Sequence, residues 1–176
     1  MKTVSFKVFI LSVFLVSVSG CSASFDKREM VLHDYRSGKT QPYSVSVSVG
    51  DNNAESEIGH VPVPHSDLQY AIEESIRESK VFEKVISSDK GEYLLNVMIF
   101  TLQQPIFGFD FTVKIEAGWT LTKAGGKMVW QKLIKSQYTA TTDDAFAAQI
   151  RFRLANDGAI RNNITQGLKA LSNLNL

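Results

Sequence analysis

Cysteine is almost missing from this chain: Cys21 is the only one in 176 residues. One thiol cannot build a disulfide framework or a thiolate metal centre, and in an exported chain a leftover cysteine needs a separate reason. Histidine is scarce too. His33, His60 and His65 fall in segments read as tether or loop, without the helical i,i+4 spacing of a ligand pair, so no metal and no cofactor is expected. Charge of one sign is also lacking. The formal net charge is +1, with no basic face or acidic run, which argues against nucleic acid as a partner. No Gly-x-Ser-x-Gly elbow occurs, and Gly125-Gly126 is followed by neither a phosphate-binding helix nor Lys-Ser/Thr. Asp143 and Asp144 are adjacent carboxylates, read as helix-capping groups favoured by the helix dipole. A calcium loop would need more ligands at defined spacing. With no nucleophile, base and orienting group to assemble, the chain is expected not to be an enzyme.

Long apolar runs are lacking as well, with one exception. Val8 to Val18 is apolar apart from Ser12 and Ser17, and it follows the basic Lys2 and Lys7. The run is shorter than the ~20 residues of a transmembrane helix and matches the basic and apolar regions of a secretory signal. The small residues Ser19 and Gly20 then precede Cys21. Val18-Ser19-Gly20-Cys21 resembles the lipobox of bacterial lipoproteins. That resemblance implies cleavage between Gly20 and Cys21, a diacylglyceryl group on the sulfur and a further acyl chain, such as palmitate, on the new amino group. Each buried methylene adds about 0.8 kcal/mol, so two or three chains hold firmly where one does not. Ser22 in place of Asp after the cysteine resembles the sorting pattern of outer-membrane lipoproteins.

Residues 1–20 are thus read as a signal peptide, 21–42 as the lipidated cysteine and a polar tether, and 43–176 as one domain. Met30-Val31-Leu32 is a short ordered piece within the tether. Loss of Lys2 and Lys7 with the signal lowers the formal charge from +1 to −1. No second apolar stretch is long enough to span a bilayer, so the domain is expected to be soluble and to hang from its lipid.

Tyr43 to Val49 alternates Val45, Val47 and Val49 with Ser44, Ser46 and Ser48, the pattern of a half-buried strand ended by Gly50-Asp51-Asn52-Asn53. After a loop with Pro62 and Pro64, Ser66-Asp67-Leu68-Gln69 reads as a capping box. Leu68, Ala71, Ile72, Ser75, Ile76 and Ser79 form an apolar and small stripe at helical spacing, with Glu73, Glu74, Arg77 and Glu78 facing water. Val81 to Ile86 is a short strand. Tyr93 to Leu102 is apolar on both faces apart from Asn96 and Thr101, as in a central strand. Phe109 to Thr122 alternates without interruption, and Lys123-Ala124-Gly125-Gly126-Lys127 is the hairpin loop before a partner strand from Met128 to Thr139. The adjacent Leu133 and Ile134 mark a bulge or burial on both faces. Thr142-Asp143-Asp144 is read as the cap of a long helix from Ala145 to Leu171. Phe146, Ile150, Leu154, Gly158, Ile160, Ile164, Leu168 and Leu171 share one side of it. Gly158 and Gly167 cost about 1 kcal/mol each relative to Ala inside a helix, so they indicate close packing or a local break near 156–158. The order strand, helix, four strands, helix predicts an α+β fold: a mixed, largely antiparallel sheet of about five strands with both helices on one face.

This pattern, with Tyr138 to Phe146 running from strand into helix, resembles the YajG-like and transport-auxiliary outer-membrane lipoproteins. The likeness covers roughly residues 43–172. It implies a membrane-anchored protein facing the periplasm, with no catalytic residues to carry over. Phe107, Phe109, Trp119 and Trp130, with Phe111, are the residues singled out for an interaction surface. They read first as core and cross-strand packing, and otherwise as a groove for an acyl chain or an apolar peptide. Two functions compete: a domain that docks another envelope protein through a sheet edge or the Gly158 region, or a lipid or lipopolysaccharide carrier. A filled core beside a bare, flat edge would favour docking, and an open apolar cleft between helix and sheet would favour carrying.

Overall fold

The structure, a computed structural model, describes residues 25–51 and 61–176. The signal segment, Gly20, Cys21 and His60 lie outside the described residues. The elements in chain order are β1 (Gln41–Asp51), α1 (His65–Ser79), β2 (Phe82–Val85), β3 (Tyr93–Gln103), β4 (Phe111–Lys123), β5 (Met128–Ala140) and α2 (Ala148–Ser172). The five strands form one sheet in the order β2-β1-β3-β4-β5. β1 runs parallel to both β2 and β3, whereas β3, β4 and β5 form an antiparallel meander. The fold is therefore the expected α+β arrangement, with β3 central.

Period-two sequence produces a two-faced sheet. Val47, Leu95 and Leu121 are register partners across three strands, as are Val97 with Trp119 and Ala117 with Ile134. All of these are buried, and they face the helices. α1 packs on β1 and β2, and α2 on β4 and β5. Both glycines of α2 mark close packing, not a break. A Cβ at Gly167 would lie 2.7 Å from the Trp119 ring, and one at Gly158 would enter the Tyr138 ring. The hairpin glycines Gly125 and Gly126 have φ of 100° and 92°, as their turn requires.

Several local expectations change. Ser66 does not cap α1: the helix starts two residues earlier than that cap would place it, after Pro64, and no side-chain hydrogen bond caps it. A proline at that point presets the entry φ and has no N–H to satisfy. Glu73 is buried and accepts hydrogen bonds from Arg77 Nη2 at 2.9 Å and Gln69 Nε2 at 3.0 Å. Leu133 and Ile134 form no bulge. Ile134 is buried and Leu133 lies on the open face opposite Gly118, while the register shifts fall at Ile99/Thr101 and Leu121/Thr122. Asp144 does not cap α2. It closes a separate turn by accepting from the Thr141 amide at 2.7 Å, and α2 begins only at Ala148. Phe146 is consequently outside the helix and fully exposed.

The largest change concerns the tether. Residues 25–40 lie along the two helices as a strap. Asp26 N donates to Asp157 Oδ1 at 3.1 Å, Leu32 N to Ser75 Oγ at 2.9 Å, Tyr35 Oη to Ser172 Oγ at 3.1 Å and Ser37 N to the Ser79 carbonyl at 2.7 Å. The partners advance along α1 and α2 together, so the strap runs in the seam between them. Met30, Val31 and Leu32 are part of the hydrophobic core. The short ordered piece thus extends the domain's N-terminal boundary back from residue 43 to the first described residue, Phe25.

Candidate functional site

The residues singled out from sequence separate into different environments. Trp119 is wholly buried and Trp130 partly buried against the core. Trp119 Nε1 donates to Asn163 Oδ1 at 2.8 Å, and Asn163 Nδ2 donates to the Ile134 carbonyl at 3.1 Å and to Ser136 Oγ at 3.2 Å. Trp119 is therefore a pinned core residue with no free surface. Phe107 and Phe109 are 87% and 83% exposed and belong to neither a core nor a groove. β4 starts two residues later than the alternation suggests, because Gly108 takes φ +144° and turns the chain out of the sheet.

One end of the sheet gathers the four most exposed large apolar side chains among the described residues. Phe111 pairs with Ala140, so loop 104–110 and loop 141–147 leave the sheet at the same end. Ile106, Phe107, Phe109 and Phe146 project from these loops, and Ile150 from the first turn of α2. Arg151 fixes the arrangement. Its Nη1 donates to the carbonyls of Ala145 at 2.7 Å and Phe146 at 2.6 Å, and its guanidinium lies over the Phe111 ring, 5.6 Å from the centroid. Phe111 in turn meets Phe152 edge to face at 6.0 Å. A buried arginine thus clips loop 141–147 to an aromatic pair whose Phe111 opens β4. Sequence periodicity misses this group because it places Phe109 in a strand and Phe146 on a helix. The signal present was Pro105 and Gly108 beside these aromatics, two residues that interrupt a strand whatever the alternation around them.

The open sheet face carries a second candidate surface. Phe100 sits at the β3 bulge and its ring covers Gly118, where a Cβ would lie 3.0 Å from Phe100 Cζ. Leu133 is across from Gly118, and Leu94 is exposed on the same face. Beside these lies an open groove of about 570 Å³, walled by Lys114, Glu116, Lys135, Gln137, Asn162 and Gln166. Lys135 Nζ pairs with Glu116 Oε1 at 2.7 Å. The open face is therefore partly apolar, not uniformly solvated as its Thr112, Lys114, Glu116, Thr120 and Thr122 suggest.

The sheet edges are poor docking strips. β2 has only four residues, and β5 is covered midway by α2. Asn162 Nδ2 donates to the Gln137 carbonyl at 2.9 Å, and Gln166 Nε2 to the Lys135 carbonyl at 3.1 Å. Covering an edge strand in this way blocks strand addition. The Gly158 region is equally closed, being filled by Tyr138. Between sheet and helices the void beside Trp119 amounts to about 10 Å³, hardly room for one water.

His33 Nδ1 lies 2.9 Å from Glu78 Oε2, as part of the strap's attachment to α1. Asp157 is buried under the start of the strap. Burial pushes its pKa up from 3.8 to about 7, against the lowering effects of the Asp26 amide and the charge of Arg153. Its Oδ2 has no hydrogen-bond partner among the described residues.

The same fold occurs in solved structures of very different sequence. A DUF330 protein from Xanthomonas campestris superposes with a TM-score of 0.57 at 12% identity, covering 81% of this chain and 89% of that one. A hypothetical protein from Chlamydia trachomatis gives 0.55 at 6% identity, covering 75% and 96%. A minor lipoprotein from Acinetobacter baumannii gives 0.50 at 10% identity, covering 76% and 92%. No family model and no curated protein matches the sequence. At these identities the likeness is one of fold: the chain is built on the same arrangement of sheet and helices as these three proteins.

Proposed function

We propose that this chain is a lipid-anchored protein of the bacterial envelope that works by binding another envelope protein and not by catalysis. The observation that carries the reading is Val18-Ser19-Gly20-Cys21 behind the apolar run Val8 to Val18. The absence of any second cysteine for Cys21 to pair with supports it, and so does the shared fold with a minor lipoprotein of Acinetobacter baumannii. Acylated Cys21 holds the domain at the outer membrane, on the periplasmic side. Membership among the YajG-like or transport-auxiliary lipoproteins is a narrower form of the same proposal and rests on the resemblance of architecture.

We assign the partner protein to the open sheet face. There Leu94, Phe100 and Leu133 offer apolar contact, and Lys114, Glu116 and Lys135 offer polar contact beside the groove. A lipid carrier needs a dry cleft between sheet and helices, and a void of about 10 Å³ does not accommodate an acyl chain. The polar groove on the other face has the wrong lining for one. Docking is thus favoured over carrying.

The test is direct. Cys21→Ser should abolish incorporation of labelled palmitate and move the protein from the membrane fraction to the soluble fraction. Undiminished labelling would refute the anchor. Recovery of a stoichiometric lipid, beyond the acyl chains of Cys21, from protein purified without detergent would overturn the non-carrier reading.

A further inference from the structure

The geometry points to the aromatic end of the sheet as a lipid-contacting surface, whose occupant is the bilayer that holds acylated Cys21. This inference rests on the anchor proposed above and adds an orientation to it.

Ile106, Phe107, Phe109 and Phe146 are 78%, 87%, 83% and 98% exposed, all on two loops at one end of the sheet. Each phenyl ring can bury on the order of 150 Å² or more, so three rings and an isoleucine amount to a patch of several hundred Å². Patches of that size on a folded domain mark an interaction surface. The loops that carry them are held in place. Gly108 takes the left-handed φ that loop 104–110 needs, Asp144 closes the turn at Thr141, and Arg151 ties residues 145 and 146 to Phe111.

The strap decides what covers the patch. Both helices start at the aromatic end, because α2 follows Ala140 there and α1 returns from the end of β1 that points the same way. Along the strap, Lys27 lies over the ring of Tyr70, the sixth residue of α1, and Asp26 is bonded to Asp157, the tenth residue of α2. At 1.5 Å per residue these places are about 8 Å and 14 Å from the helix starts. Phe25 therefore lies near the aromatic end. Cys21 is four residues further back, so its Cα lies within about 14 Å of that of Phe25 however the intervening chain runs. The opposite end, at Gly125-Gly126, is roughly 40 Å away along the 13 residues of β4. A domain standing on that end would hold Phe25 farther from the bilayer than the link to Cys21 can span.

Two surfaces remain within reach: the aromatic end and the helix flank beside the strap. The flank presents Lys27, Arg28, Glu29 and Arg161, charges of both signs that stay hydrated. The aromatic end presents phenyl rings, which partition into the headgroup and acyl boundary without needing a directional partner. A three-residue link with an acylated end and four exposed apolar side chains thus form two attachments to one membrane, and the domain stands on its aromatic end with β-strands rising from it.

The test uses the full, processed chain reconstituted in phosphatidylethanolamine and phosphatidylglycerol vesicles. Phe107→Cys and, as the distant control, Lys127→Cys are labelled with an environment-sensitive thiol dye. Both positions are exposed, so neither substitution disturbs the core. The sulfur of Cys21 is a thioether in the processed chain and takes no dye. At position 107 we expect quenching by doxyl-labelled lipid and at least threefold weaker quenching by aqueous iodide than at position 127, which should show the reverse. Equal iodide access at both positions overturns the inference. Protection from iodide at 107 without quenching by doxyl lipid also overturns it, since a protein, whether another molecule or a second copy, then covers the patch. Palmitate labelling and flotation with the vesicles are read in parallel. Palmitate with an iodide-accessible residue 107 keeps the anchor and loses this surface. Lipid contact at 107 without palmitate, with dye also on Cys21, keeps the surface and loses the anchor.

Discussion

A methyl group added at Gly167 would lie 2.7 Å from the six-membered part of the Trp119 ring, which is itself fixed by Asn163. Helix propensity alone favours alanine over glycine by about 1 kcal/mol. Overpacking a filled core costs typically 1–3 kcal/mol, and here neither the ring nor the helix has a direction in which to yield. Gly167→Ala is therefore expected to destabilise the domain by about 1–2 kcal/mol, seen as a lower midpoint in urea unfolding with an unchanged slope. A raised midpoint would mean that propensity outweighs packing at this residue. The same pairing of small against large recurs at Gly158 with Tyr138 and at Gly118 with Phe100. The sequence reveals that Gly158 and Gly167 are unusual in a helix, but the ring that each one faces is 20 or more residues away in the chain and only the register supplies it.

At the scale of the element, α2 combines three tasks on one helix. Ile160, Ile164, Leu168 and Leu171 fill the core, Asn163 holds Trp119, and Asn162 and Gln166 reach over the outer edge of β5. Removing the last two side chains in Asn162→Ala/Gln166→Ala exposes the carbonyls of Lys135 and Gln137. Each side chain–backbone bond is worth about 1 kcal/mol net, so a loss of roughly 1–2 kcal/mol is expected. The freed edge should also promote concentration-dependent association, measurable by sedimentation of the non-acylated Cys21→Ser form. An unchanged sedimentation profile would show that the edge needs no cover. Strands were legible in this sequence wherever period two ran uninterrupted, as from Phe111 to Lys123, and the apolar stripes located both helices. Some element ends were legible, as Tyr93 for β3 and Met128 for β5, but the starts of α1, β4 and α2 were not. Pro64, Gly108 and the Thr141–Asp144 turn each stop or start an element by backbone geometry or by a bond outside it, while side-chain periodicity continues across them.

For the molecule as a whole, the α+β order follows from the sequence, but the strap does not. Its polar composition, with Lys27, Arg28 and Glu29 at the start, hides that Met30, Val31 and Leu32 complete the core between two helices far along the chain. Asp157, under the first residues of the strap, gives this contact a pH dependence. Burial raises its pKa from 3.8 to about 7, the charges of Asp26 and Glu29 push the same way, and the Asp26 amide and Arg153 oppose them. Between those two values the folded chain holds a proton that the unfolded chain has released. Its stabilising contribution is complete below about pH 4, falls by up to about 1.4 kcal/mol per pH unit as pH rises, and is lost above about pH 7. Urea midpoints should therefore drop between about pH 4 and pH 7, and Asp157→Asn should flatten that drop; an equal drop in the variant would assign it to another group. The direction in which the strap runs has a mechanical consequence. Its bonds to Asp157, Ser75 and Ser172 are spaced along its length, from the aromatic end toward the hairpin end. With Cys21 anchored as proposed, tension from the membrane would pull residue 25 back along that axis. The attachments are then loaded in shear and must yield together, whereas a strap leaving at right angles would unzip one bond at a time.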